Sequence, residues 1–375
     1  MTNKMTIIHV LEPFASGVVT AVVNIVGQLP AMRHIIVHGS RLWVDNLESV
    51  KKRFPPEVTF IAWAETQREV SLRRDFHALK SLIKILTPYK DTGAIIHLHS
   101  SKAGFLGRLA CKILGIKRVI YTPHGASFIR TDIGFFSRYF YRFLEKLGGK
   151  FGGIIVACGQ SEVELYKGMS NKVIFVPNGV PIARSVEEKF RTLQNPEEEI
   201  FVMFTGITSI QKNPELFNEI ASSLPDVHFY WVGDGPLRSK LVSPNITVTG
   251  WVDKDSVNGY LERCLVYMST SKWEGLPFGV LEAMASGCVL LVSNVYGNRD
   301  LVIAEENGYV YNDAQEAVAL LSQLFENREK IIAMGRKSRE IVEREYSVEI
   351  MGKKYNAIYE SMRGGGGVDF PYTIA

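Results

Sequence analysis

At 375 residues the chain is long enough for two domains of ordinary size. It is 46% hydrophobic and 22% charged, which excludes a disordered or fibrous chain, and no run of 18 apolar residues offers a membrane span. The net charge of +4 hides a division: residues 1–185 hold 25 Lys and Arg against 12 Asp and Glu, and the remainder holds 18 against 27. A basic first half points to an acidic partner such as anionic lipid, a pyrophosphate-linked acceptor or nucleic acid; solvated lysines and arginines are the plain alternative. Four scattered cysteines with no CxxC pair suit a reducing cytoplasm and argue against a disulfide scaffold or a zinc site. Residues 1–10 run straight into a strand, with no signal-peptide pattern.

In chain order, MTIIHVL (5–11) reads as a buried strand and residues 17–29 as the helix after it. The turn between them, with Ser16 and Gly17, lets backbone amides face a ligand, a weak signal alone. HIIVHG, VTFIAW and AIIHLHS are further strands. In the last, His97 and His99 share one face because side chains alternate. HxH can bind metal, but no third ligand with suitable spacing is evident in the sequence, so no metal is expected. His97 reads as core packing and His99 as a rim residue facing an acceptor. Residues 102–115 form an amphipathic helix, and RVIYTPHG carries His124 just past a strand end. Residues 129–153 mix basic and aromatic side chains. Phe136, Phe140 and Phe143 fall near one helical face with Arg138, Arg142 and Lys146 close by, which suits either a membrane surface or packing on the domain itself. GGIIVACG and KVIFVPNGV complete a domain over residues 1–180.

The polar stretch 181–199 reads as a linker. A second series follows over 200–340: EIFVMFTG, HFYWVGDG, ITVTGWV, CLVYMSTS and CVLLVSN, with helices between. Continuous apolar strands separated by helices imply parallel sheets covered on both faces. The expected class is α/β, two Rossmann-like domains facing a central cleft, with ligands at the carboxyl ends of the strands. Residues 314–362 are helical, the last helix is expected at 341–363, and GGGG opens a tail over 364–375.

The richest segment is SKWEGLPFGVLEAMASG. Glu274 falls on a loop after a strand, and Glu282 in the opening turns of the next helix. Between them, glycine and proline let the backbone turn sharply. The helix start presents free N–H groups to an anion such as a diphosphate. Two carboxylates beside an anion cradle suit a ligand with hydroxyls and phosphates. Asp253-x-Asp255 stands before a helix expected at 257–263, where Asp255 or Ser256 makes a good N-cap, so it reads as a cap and not as a metal motif. Gly250-Trp251 follows a strand. Trp251 could stack on a base, although an aromatic strand end is more often core.

EGLPFGVLEAMASG resembles the glutamate, seven residues, glutamate signature of the retaining family-4 glycosyltransferases with the GT-B fold, and the likeness extends at motif level from about Met5 to Tyr359. The resemblance implies that Glu274 contacts the donor sugar, that Glu282 binds the nucleotide ribose, and that the backbone of Leu276, Pro277, Phe278, Gly279 and Val280 binds diphosphate. It gives His124 a sugar contact. FTGITSIQKNPEL resembles the turn in which an arginine and a lysine clamp the diphosphate: Lys212 matches the lysine, but Ile207 stands at the arginine position. Gly206, Gly233 and Trp251 fall at turns near the nucleotide. Ser16 departs from a pair of glycines frequent in the family. The implied activity is metal-independent, retaining transfer of a sugar, with a UDP-sugar the expected donor and a glycan or lipid-linked glycan the acceptor, in bacterial surface polysaccharide synthesis. The nucleotide-sugar is a substrate, so no cofactor is expected. A cytoplasmic protein in peripheral contact with the anionic inner face of the plasma membrane is the expected setting. Nucleic-acid binding would rest on basic charge alone and is not expected. A retaining glycoside hydrolase using the same two glutamates fits a phosphate-binding helix start poorly. A non-catalytic binding protein of the same fold is the other alternative, and Ile207 keeps it open.

Overall fold

The computed structural model describes residues 4–39, 47–64, 66–67, 70–170, 172–182, 185–192, 194–195 and 200–363; the tail at 364–375 lies outside them. The chain divides into two compact units: Met1–Gly179 with Val348–Ala375, and Val180–Ser347.

The first unit is built on a parallel sheet. Its strands are β1 (Thr6–Leu11), β2 (Arg33–His38), β3 (Thr59–Ala62), β4 (Ile95–His99), β5 (Val119–Thr122), β6 (Ile154–Ala157) and β7 (Val173–Phe175), in the order 3-2-1-4-5-6-7. The connecting helices are α1 (Ser16–Gln28), α2 (Leu47–Lys51), α3 (Leu72–Leu86), α4 (Ser101–Leu114), α5 (Phe135–Gly149) and α6 (Gln160–Tyr166). Alternation along each strand sends side chains to two helical layers. Ile8, Val10, Ile35, Val37, Ile96 and Leu98 pack in one cluster with Ala78 and Leu82 of α3 and Ala103 and Ala110 of α4. There the buried Arg108 guanidinium meets Glu145 of α5 at 3.1 Å, and the Tyr121 hydroxyl donates to the same carboxylate at 2.8 Å. A buried pair of this kind joins α4 to α5; losing one partner leaves an uncompensated charge at a cost of about 3–5 kcal/mol.

The second unit repeats the plan. It contains α7 (Glu187–Thr192), β8 (Phe201–Thr205), α8 (Pro214–Ser222), β9 (His228–Val232), β10 (Ile246–Val248), α9 (Lys254–Arg263), β11 (Val266–Ser269), α10 (Phe278–Ala285), β12 (Val289–Ser293), β13 (Gly308–Tyr311), α11 (Ala314–Phe325) and α12 (Arg328–Glu345). The strands are parallel, in the order 10-9-8-11-12-13. The last helix, α13 (Val348–Arg363), belongs to the first unit. Its Tyr355 and Tyr359 pack with Ile7, Ile95, Ile120 and Ile25 of α1 on the face opposite α3 and α4.

Several boundaries differ from expectation. The segment expected as a linker carries α7, whose Phe190 is fully buried. The Lys189 ammonium donates to the carbonyls of Ser286 at 2.6 Å and Leu261 at 3.1 Å, so this segment is fastened to its unit. The helix expected to begin at 341 is already running: α12 continues to Glu345, and the break falls at Tyr346 and Ser347, where Val180 bridges Ser347. β13 was not anticipated, because GYVY is a short edge strand following a turn. α9 starts three residues earlier than expected, and its N-cap is Asp253, which accepts from the Ser256 amide at 2.7 Å, not Asp255 or Ser256. Among the described residues no helix is long and apolar enough to cross a membrane.

Candidate functional site

In the second unit the strand order reverses direction between β8 and β11, so the chain leaving their carboxyl ends runs on towards opposite edges of the sheet, the place where open α/β sheets bind ligands. Three connections meet at that end of the sheet, those after β8, β9 and β11. The turn after β8 begins at Gly206 and the turn after β9 at Gly233. The Gly233 backbone lies so close to the first turn that an added Cβ would stand 2.2 Å from the Gly206 carbonyl oxygen, and its φ of +143° also favours glycine. Ile207 and Thr208 pack on the same turn, with the Thr208 amide donating to Asp234 O at 2.9 Å.

The loop from 208 to 213 is stitched onto the segment after β11. The Thr270 hydroxyl donates to Lys212 O at 2.7 Å, the Lys272 amide to Gln211 O at 2.8 Å, and the Gln211 side-chain amide to Trp273 O at 3.0 Å. This stitching sets Lys212 beside Glu274. The ammonium meets the Glu274 carboxylate at 2.5 Å, the Ser271 hydroxyl donates to the same oxygen at 2.7 Å, and Gln211 approaches the other at 3.4 Å. Glu274 is only 6% exposed. A carboxylate so far from water needs these donors, and they hold it in one orientation.

Helix α10 starts at Phe278 with Pro277 in the cap position, and no side chain caps it. Phe278, Gly279 and Val280 therefore have no intrahelical acceptor for their N–H groups. Pro277 has no N–H, so of the five residues expected to offer backbone donors it shapes the turn without donating. Gly279 is dictated by packing: an added Cβ would meet Tyr267 Oη at 2.5 Å and Thr205 Oγ1 at 2.6 Å. Glu282, further along α10, pairs with Lys254 at 2.5 Å and lines a cavity of about 190 Å³ with Lys189, Asn258, Glu262 and Arg339. Trp251, expected near the nucleotide with core packing as the plain alternative, is 67% exposed and so is not core. The structure thus gathers Gly206, Lys212, Gly233, Glu274 and the start of α10 at one end of one sheet. Sequence reasoning missed Ser271, Gln211 and Lys254. Ser271 stands three residues before Glu274, a local signal; Gln211 and Lys254 meet their glutamates only through the fold.

In the first unit, Ser16 and Gly17 are exposed at the start of α1, and Ser16 takes a φ of +51°, the left-handed region that glycine enters more readily. His124 also has a positive φ, +55°. The adjoining Gly125 amide is held by Glu162, whose other oxygen accepts from Cys158 N, both at 2.8 Å. His99 is not at a rim: it is fully buried. Register explains this, because β4 lies between β1 and β5 and places His97 opposite His9 and His99 opposite Thr122. His9 also supplies the third imidazole that sequence spacing did not show, bringing ring nitrogens of His9, His97 and His99 within 4.8 Å of one another. Both nitrogens of each ring already have partners. His97 meets Tyr359 Oη at 2.7 Å and Thr122 Oγ1 at 2.9 Å, while His9 and His99 bond to each other and to His34 and His124. The cluster is a hydrogen-bonded layer, and a metal ion would have to displace those bonds.

Burial pushes the pKa of His9, His97 and His99 well below the ordinary value of 6.5, lowers those of His34 and His38, and brings that of His124 down to about 4. Neighbouring imidazoles add to the effect at His9, His97 and His99.

Residues 15–184 match the model of Glycosyltransferase Family 4, and residues 185–341 that of Glycosyl transferases group 1. Over 361 residues the chain is 29% identical to the UDP-Gal:alpha-D-GlcNAc-diphosphoundecaprenol alpha-1,3-galactosyltransferase of Escherichia coli, covering 87% of this chain and 89% of that protein. It is 27% identical to the O-antigen biosynthesis glycosyltransferase WbnH of Escherichia coli, covering 68% and 73%. Among solved structures it is similar to sucrose-phosphate synthase of Thermosynechococcus elongatus, with TM-score 0.81, 17% identity and coverage of 97% and 100%. It is also similar to Anabaena HepE in complex with UDP and glucose, with TM-score 0.76, 15% identity and coverage of 95% and 100%.

The histidine layer makes stability depend on pH. Below about pH 6.5 the unfolded chain takes up protons that the folded histidines refuse, so folding is favoured less as pH falls. Each such histidine contributes a slope of up to about 1.4 kcal/mol per pH unit until its folded-state pKa is reached. Urea unfolding at pH 8, 6.5 and 5.5 will show a loss over the second interval about twice that over the first, although the second is shorter; a flat profile would contradict the burial of neutral imidazoles.

Proposed function

The chain belongs to the glycosyltransferases of the GT-B fold, and on that footing we propose that it moves a sugar, with retention of configuration, from a UDP-sugar to a lipid-linked glycan in bacterial surface polysaccharide synthesis. The observation that carries the reading is the Lys212–Glu274 pair beside the uncapped start of α10, at the switch point of the second sheet. UDP-galactose is the first donor to test, given the likeness to the Escherichia coli galactosyltransferase.

In this proposal the diphosphate lies against the N–H groups of Phe278, Gly279 and Val280, where the helix dipole favours negative charge. Lys212 faces the same charge as it grows on the leaving oxygen. Glu274, held by Lys212 and Ser271, accepts from a hydroxyl of the donor sugar, and Glu282 from the ribose. The bond from the anomeric carbon to diphosphate breaks and a bond to the acceptor hydroxyl forms on the same face. The acceptor proton passes to the departing phosphate oxygen, so no separate base and no metal is required. Ile207 removes one charge-assisted contact from this clamp and leaves more of the work to Lys212 and the helix amides.

Helix α5 supports a peripheral position at an anionic membrane. Phe136 is 87% exposed, Phe135, Tyr139, Phe140 and Phe143 are exposed as well, and Arg138 stands among them. An uncovered aromatic face with basic neighbours suits the headgroup boundary, where a lipid-linked acceptor resides.

With UDP-galactose and a GlcNAc-diphospholipid, product is expected with the donor's α configuration at the new linkage, read by NMR; β product would sink the retaining mechanism, and no turnover with any UDP-sugar would leave the binding-protein alternative. Glu282→Ala should weaken UDP binding about 10- to 100-fold, the worth of one hydrogen bond to a charged group. Unchanged affinity would remove Glu282 from the ribose. For the membrane, the protein should sediment with vesicles containing phosphatidylglycerol but not with neutral ones, and Phe136→Ser with Phe140→Ser should abolish this. Equal sedimentation of the double variant would move the contact elsewhere.

A further inference from the structure

Four histidines from four strands or strand ends form one continuous line of hydrogen bonds. His34 Nε2 lies 3.0 Å from Leu29 O, and His34 Nδ1 lies 3.2 Å from His9 Nε2. His9 Nδ1 lies 3.1 Å from His99 Nε2, and His99 Nδ1 lies 2.9 Å from His124 Nε2. The rings of successive members are near-parallel, with centroids 5.2–5.4 Å apart. His9, His34 and His99 are buried, and His124 is half-buried at the open end.

We propose that the Leu29 carbonyl, acting through His34, His9 and His99 as positioning residues, fixes His124 as the tautomer whose Nδ1 lone pair is free to accept from a sugar hydroxyl. A carbonyl oxygen can only accept, so His34 Nε2 carries a proton and His34 Nδ1 does not. His9 Nε2 must then donate to His34, His99 Nε2 to His9, and His124 Nε2 to His99. Each neutral ring has one proton, and each proton has one acceptor. The reverse direction would aim the His34 Nε2 lone pair at Leu29 O across 3.0 Å, an uncompensated repulsion in a dry interior. Burial keeps all four rings neutral, as the lowered pKa values require. The lone pair left over is that of His124 Nδ1, which has no hydrogen-bond partner among the described residues.

The consequence is selectivity by hydrogen-bond sense. A neutral imidazole that can only accept suits a hydroxyl and repels a carboxylate or phosphate oxygen, so His124 favours a neutral hexose over a uronic acid at its position. This conclusion about the sugar rests on the glycosyltransferase reading; the direction of the relay does not.

The test separates the two. In uniformly ¹⁵N-labelled protein at pH 8, without ligand, long-range ¹H–¹⁵N correlation should find His34, His9, His99 and His124 all protonated on Nε2, with scalar couplings across the three N–H···N bonds. A proton on Nδ1 of any of the four overturns the relay, whatever the enzyme transfers. Because isolated imidazole also favours the Nε2–H form, His34→Leu tests the dependence: with the acceptor removed, His124 should become a mixture of tautomers. A single unchanged tautomer in this variant would show that His124 is set locally and would overturn the proposal. Should His34→Leu not fold, the wild-type couplings decide. In turnover, His34→Leu should raise KM for the sugar donor several-fold while leaving UDP affinity unchanged; a loss of UDP affinity to the same extent would mark a merely structural role.

Discussion

The ion pair between Lys212 and Glu274 is the contact on which the candidate site turns. A carboxylate buried to this depth needs charge compensation, and removing its lysine would leave a cost of about 3–5 kcal/mol. The pair exists because two loops from different strands are joined by hydrogen bonds, the Thr270 hydroxyl and the Lys272 amide donating to the carbonyls of Lys212 and Gln211. Those loops follow β8 and β11, the two strands at the switch point. The same geometry sets the start of α10 over the hydroxyls of Thr205 and Tyr267, so tightly that a side chain at position 279 would have to displace them. Sheet topology, loop stitching and helix start thus converge on one place that favours a ligand combining negative charge with hydroxyls.

The first unit solves a different problem. Its sheet is apolar on the face under α3 and α4, but the face under α1 and α13 carries a layer of histidines with Thr122, Tyr355 and Tyr359. Buried polar groups are tolerated when every hydrogen bond is made, and here ring nitrogens bond in series to one another and to a main-chain carbonyl. Such a layer gives up hydrophobic burial and gains a defined arrangement of protons that reaches the half-buried His124.

Much of this was legible in the sequence. Continuous Val and Ile runs announced the parallel strands, and the glycine-rich turns after β8 and β9 marked the end of the second sheet where the candidate site lies. The glutamate pair around EGLPFGVLE located the start of α10, which no side chain caps. What escaped depends on register and on distance along the chain. His9 joins His97 only because β1 pairs with β4, and no local pattern reports that pairing. His99 alternates correctly with His97 yet is sealed in by its neighbouring strands, so exposure could not be read from its position near a strand end. Lys254 reaches Glu282 across 28 positions of sequence, and Lys189 makes an apparent linker part of a domain. Polar composition suggested that linker; one buried phenylalanine and one lysine overrule it.

The most direct measurement is calorimetric titration of the protein with UDP and with UMP, first in EDTA and then with Mg²⁺. If Lys212 and the amides of Phe278, Gly279 and Val280 hold a diphosphate, UDP will bind at least about tenfold tighter than UMP in EDTA, a difference of about 1.4 kcal/mol, and Mg²⁺ will change it little. Equal affinities for the two nucleotides, or UDP binding that appears only with Mg²⁺, would contradict the account of this site.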